Sequence, residues 1–158
     1  VKRQPKGAKQ RSQTLRVWTY EEAQAAIPYI TSVLRSIREH ALTALSHTRA
    51  AQRLADRPGR PKRAAIIAHQ EAQDEAHRSD EKFQEAVGEL QDLDVFCLDP
   101  LQGQALVPFV QDEQLAWYIF DLFDVQPLRF WRFQSDPEDT RRPITPRQKG
   151  IAGTTQIV

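Results

Sequence analysis

Hydrophobic positions along this chain follow two rhythms. From Ala23 to Leu90 they return every three or four residues, and beyond Leu93 they gather in short dense runs. The first rhythm opens at Thr19, a residue suited to accept from the free N–H groups of an opening helical turn. Glu22 stands three residues on, as a capping box requires. Ala23, Ile27, Ile30, Leu34, Ile37, Ala41 and Ala44 then trace one helical stripe. The stripe keeps its phase through Pro28, which predicts a helix bent in its first two turns rather than one that stops. Such a bend costs about 3 kcal/mol of local helix stability, to be offset by packing. "DRPGRPKR", residues 56–63, interrupts the pattern with two prolines and a glycine. Ile66, His69, Ala72, Ala76, Phe83, Val87 and Leu90 form a second stripe, with a gap near Asp80. Two long stripes across a short connection predict an antiparallel helical hairpin.

The second rhythm comprises "DVFCLDP" (94–100), "ALVPFV" (105–110), "LAWYIFD" (115–121) and "LRFWRF" (128–133). Their short connections predict an antiparallel meander. Pro108 predicts that its strand lies at an edge or carries a bulge. The fold class is therefore α+β: a long antiparallel α-helical hairpin followed by a small antiparallel β-meander of three to four strands. It occupies residues 15–144, after a disordered basic arm (1–14) and before a flexible tail (145–158). Along "LAWYIFD", Trp117 and Ile119 point one way and Tyr118 and Phe120 the other, so both sheet faces are apolar. Trp117, Tyr118, Phe120, Phe123, Phe130, Trp131 and Phe133 crowd one segment, and one hairpin covers only one face of a small sheet. The other face calls for a cover from the bent helix end, the tail or another subunit.

Charge changes this picture more than composition does. At 158 residues, 40% hydrophobic and 27% charged, the chain has ordinary globular usage for one domain. The net charge of +1 hides segregation. Lys2, Arg3, Lys6, Lys9, Arg11 and Arg16 meet no acid before residue 19. Arg49, Arg53, Arg57, Arg60, Lys62 and Arg63 face Asp56 alone. From Glu71 to Asp94 the sign reverses, nine acids standing against Arg78 and Lys82. No apolar run approaches the roughly 18 residues of a membrane span, and the basic N-terminus lacks the apolar core of a secretory leader. The single cysteine, Cys97, forms no internal disulfide. These features place the protein in the cytoplasm.

"TYEEAQAAIPYI" (19–30) resembles the opening of a bacterial family known as domain of unknown function 2203, with its Thr-x-Glu-Glu-Ala helix start and a following Leu-Pro. "DPLQGQALVPF" (99–109) is similar to its acidic-proline, glycine and Asp-Phe-Pro region. "LAW", "FW" and "RRPI" fall where the family has Leu-Cys-Trp, Tyr-Trp-His and an arginine before proline-leucine. The resemblance spans roughly residues 15–144. Ala116 stands where the family has cysteine and Arg132 where it has histidine, and the interval between the two tryptophans is longer. The resemblance carries over the helix entry and two structural tryptophans, Trp117 and Trp131.

Candidate chemistry is sparse. If the hairpin turns near Pro58 and Gly59, His40 shares a level with His77, with Asp74 one turn away, and His47 with His69. Such a set is a weak candidate for a divalent metal, or else polar residues flanking the stripes. Cys97, between Phe96 and Leu98, reads as a buried inert thiol. Neither a catalytic residue nor a cofactor is indicated, and whether the chain is an enzyme stays open. The first expectation is a non-enzymatic interaction or scaffold protein, self-associating or binding a protein partner through an aromatic sheet face anchored by Trp117, Trp131 and Phe133. The alternative is a polyanion-binding accessory protein, for RNA or DNA, using the basic arm and Arg57, Arg60, Lys62 and Arg63 at the hairpin tip. Aromatic residues for base stacking are absent from both clusters.

Overall fold

The computed structural model describes residues 14–150. The basic arm expected over 1–14 therefore lies outside the described residues except for Thr14, as does the tail from residue 151. Helix α1 spans Tyr20–Ala25, α2 spans Ile27–Ala55 and α3 spans Arg63–Asp92. Strands β1 (Phe96–Asp99), β2 (Gln104–Gln111), β3 (Gln114–Asp121), β4 (Leu128–Phe133) and β5 (Arg142–Pro143) follow. They form one antiparallel sheet in chain order. The fold is α+β, a helical hairpin followed by a β-meander.

Thr19 caps α1 as its spacing predicts. Its Oγ1 accepts from the Glu22 N–H at 3.1 Å, and the Glu22 carboxylate accepts from the Thr19 N–H. Pro28 acts differently from the bent helix expected. The helix breaks at Ala26, and Pro28 falls in the first turn of α2, where a missing N–H leaves no bond unmade. Phase survives the break: Ala23, Ile30, Leu34 and Ile37 are all buried. At its far end α3 closes with Asp94 in the left-handed region, φ +57°. The Val95 N–H donates to the Leu90 carbonyl and the Asp94 N–H to that of Gln91, with Leu90 and Val95 both buried. That is a Schellman closure with aspartate where glycine is usual. The side chain has a use: Asp94 Oδ2 accepts from the Arg16 N–H at 2.7 Å, holding the chain ahead of α1.

Pro108 sits in β2, which is the second strand of the sheet and not an edge. Locally, however, the edge is open, because β1 pairs with β2 no further than Leu106. The Pro108 carbonyl accepts from the Trp18 N–H at 2.8 Å on that side. A residue's N–H and C=O point the same way in a strand, so the donor that proline lacks would have faced the gap beyond β1.

The main core joins Trp18, Ile30, Leu34, Ile37, Leu90 and Val95 to Val107, Phe109, Tyr118, Phe120 and Trp131 on one sheet face. Phe109 stacks on Tyr118 with ring centroids 3.8 Å apart. A second cluster, Leu106, Trp117 and Ile119, lies on the opposite face with Leu15, Leu115 and Phe130 against it. Through residue 150 the tail is held: the Tyr118 hydroxyl donates to the Gln148 carbonyl at 2.7 Å, and Arg147 pairs with Asp112.

Candidate interaction surface

Both sheet faces are apolar, as the sequence predicts; the helices cover one, and the other buries Leu106, Trp117 and Ile119 while Phe96 stays 43% and Val110 53% exposed. Trp117 is 7% exposed and Trp131 6%. Cross-strand register separates them: Trp131 and Phe133 lie on the helix side, ring centroids 4.8 Å apart, and Trp117 lies on the other. Phe96 meets the Trp117 ring edge-on and Gln134 accepts from its Nε1. Arg142 reaches over Trp131 and Phe133 while forming a two-point ion pair with Asp136. The three aromatic anchors expected to meet a partner thus face their own chain, with Phe133 half-buried. The reason is covering from within, by Leu15, Phe96 and Phe130 on one face and by the helices on the other.

Long apolar side chains lie open elsewhere. Leu42 is 40% exposed in a groove it shares with Leu122 and Phe123 of the β3–β4 connection, and Leu45 is 37%, Ile66 55% and Ile67 48% exposed farther along the hairpin toward its tip. Here the helices meet through small residues. Ala51 is buried, and Ala41, Ala44, Ala65, Ala68, Ala72 and Ala76 are half-buried. Ile66 therefore leaves the second stripe it was expected to join, because alanines at 65, 68, 72 and 76 bring the helices together without it. Leu42 and Leu45 were missed for the complementary reason. They lie about 100° round the helix from Ala41 and Ala44, and the stripe was assigned to the alanines. Large residues out of phase with a row of small ones were the available signal. The gap anticipated near Asp80 is filled by Ser79, which is buried.

At the tip an open groove of about 760 Å³ is lined by Leu54, Arg57, Pro58, Arg60, Lys62, Ile66 and His69. Arg63 stands outside its lining. Among the described residues none of Arg49, Arg53, Arg57, Arg60, Lys62 and Arg63 enters an ion pair. Helix α3 begins there without a side-chain cap or an acid in its first turn.

The histidine levels do not assemble. His40 shares a groove with Lys82, Glu85 and Glu89, beyond His77 along α3. His69 shares one with Thr48, Ala51 and Gln52 rather than with His47. His77 is exposed and pairs with Glu81 at 3.0 Å, and the Asp74 carboxylate accepts from Gln70. Among the described residues no three His, Cys, Asp or Glu side chains are grouped to hold a metal ion. Burial, helped by Asp99, pushes the Cys97 thiol up to about 11, so the thiolate is scarce at neutral pH.

The family described as Uncharacterized conserved protein (DUF2203) matches residues 16–144, from just ahead of α1 through β5. The chain belongs to this family. No curated protein and no solved structure matches it. Within the DUF2203 span, Ala116 is fully buried on the helix side of the sheet. Arg132 is paired with Trp117 across β3 and β4, buried, with its Nε lacking a partner among the described residues. Hairpin tip and exposed isoleucines fall inside the matched span. No helix among the described residues is long and apolar enough to cross a membrane.

Proposed function

We propose that this DUF2203 chain is a non-enzymatic interaction module that meets a protein partner through the projecting half of its helical hairpin. The observation that carries the reading is the exposure of Leu45, Ile66 and Ile67 on the outer part of the hairpin, where the half-buried positions are mostly alanine. Exposed apolar side chains on a projecting element favour association, since covering them gains about 25 cal/mol per Å² of apolar surface removed from water. A photoreactive p-benzoylphenylalanine at position 66, compared with one at fully exposed Val125, tests it in the full chain. Protein adducts several-fold more abundant at 66 support the docking surface, and equal yields at both positions contradict it. Cys97, half-buried and unpaired, supports a reducing cytoplasmic setting.

The tip groove favours a second reading, binding of RNA or DNA backbone. Arg57, Arg60 and Lys62 line it without ion pairs. Such binding falls steeply with salt, a slope of roughly −0.7 to −0.9 per phosphate neutralised. A mobility shift with a labelled oligonucleotide, lost in Arg57→Glu/Arg60→Glu and steep in salt, supports it. An absent shift removes it.

A further inference from the structure

We infer that the partner of the projecting hairpin is a second copy of this chain, docked antiparallel so that each basic tip lies along the acidic half of the other's α3. The inference rests on the reading of the hairpin as the docking surface. Its warrant is self-complementarity. The tip carries Arg49, Arg53, Arg57, Arg60, Lys62 and Arg63 against Asp56, and α3 carries eight acids from Glu71 to Asp92 against Arg78 and Lys82. Half of those acids have a partner within the chain, Glu75 pairing with Arg78, Glu81 with His77, Asp74 accepting from Gln70 and Glu89 from Tyr29, while Glu71, Asp80, Glu85 and Asp92 enter no ion pair among the described residues. An acidic peptide or a nucleic acid would satisfy the tip and leave α3 unanswered. A second copy answers both.

Geometry selects the antiparallel arrangement. The centres of the basic and acidic segments lie about 20 residues apart along α3, or roughly 30 Å. Two hairpins sliding past each other by that length place both opposite-charge pairs in register under one two-fold axis. Parallel docking would set tip against tip. Ile66, Ile67 and Leu45 fall within the overlap. A ribbon two helices or about 20 Å wide, overlapped for about 30 Å, offers roughly 600 Å² per copy, or about 1,200 Å² in all. That is the lower end of stable interfaces, so association in the micromolar range is expected.

The test is a reciprocal charge swap, read by sedimentation equilibrium of the full chain from 1 to 100 µM (about the range that brackets such affinities). The wild type is expected to dimerise with concentration. Arg57→Glu/Arg60→Glu and Glu85→Arg/Glu89→Arg, all at exposed positions, are each expected to weaken dimerisation at least tenfold with unchanged helical circular dichroism. Mixed in equal amounts, the two variants form a heterodimer within a few-fold of wild-type affinity. A wild type that stays monomeric at 100 µM, or a mixture no tighter than its components, overturns the inference. If position 66 still captures other proteins, the docking reading stands without it. If position 66 captures nothing beyond the Val125 control, the docking reading itself fails.

Discussion

Asp136 shows how one carboxylate ties the end of the sheet together. The Arg142 guanidinium first, and then the Phe133 N–H, hold its pKa at about 2, below the ordinary 3.8. A depressed folded-state value means that its stabilisation is complete above the unfolded pKa and is lost as pH falls from about 3.8 through about 2. Asp136→Asn is therefore expected to lower the urea midpoint at pH 7 and to flatten its decline with acid across that window. An unchanged acid limb contradicts the assignment. Two glycines give opposite expectations. At Gly103, φ is +66° and an added Cβ would stand 2.7 Å from Leu122 Cβ, so Gly103→Ala is expected to cost at least 1–2 kcal/mol, roughly the left-handed penalty alone. Gly88 lies within α3 with open space around its position, and Gly88→Ala is expected to add about 0.5–1 kcal/mol. Thermal or urea unfolding reads both.

Between elements, the two prolines explain what the sequence disclosed and what it withheld. Helix existence, stripe phase and the antiparallel hairpin were legible because Ile30, Leu34, Ile37 and Leu90 must share one buried side whatever the detail. Helix interruption at Ala26 was not, since a break and a bend preserve the same phase. Pro28→Ala separates them: a first-turn proline gives little on replacement, well under the roughly 3 kcal/mol released from a helix interior. A gain near that value in urea unfolding would restore the bent-helix view. Pro108 was expected to put its strand at an edge or a bulge, whereas β2 is an inner strand and the free edge beside Pro108 is local, created where β1 runs out. Two-residue β5 was hidden in "RRPI", too short to show alternation. Exposure of Ile66 depended on interhelical distance, which alanine content sets and hydrophobic periodicity ignores.

Taken as a whole, the molecule is a sheet-capped base with a projecting hairpin, and exposed apolar side chains lie on both, Phe123 at 62% and Val110 at 53% on the base and Ile66 at 55% on the hairpin. Trp18, Trp117 and Trp131, which are all its tryptophans, are each below 8% exposed. Emission is therefore expected to be blue-shifted and resistant to acrylamide quenching in the monomer and dimer alike; strong quenching would reopen the aromatic face as a docking surface. The sequence showed that both faces of the sheet were greasy, but not that Leu15 and Phe96 would pack around Trp117 on the second, because those residues are distant in the chain. Charge segregation, by contrast, was fully legible and became informative once the hairpin placed opposite signs on one rod. The strap from Leu15 to Trp18 has a practical corollary. It enters against Leu106, Trp117 and Ile119, on the side of the sheet away from the helices. A molecule anchored to a bead or sensor chip ahead of residue 14 would hang from the back of its base, leaving the hairpin arm free to reach into solution.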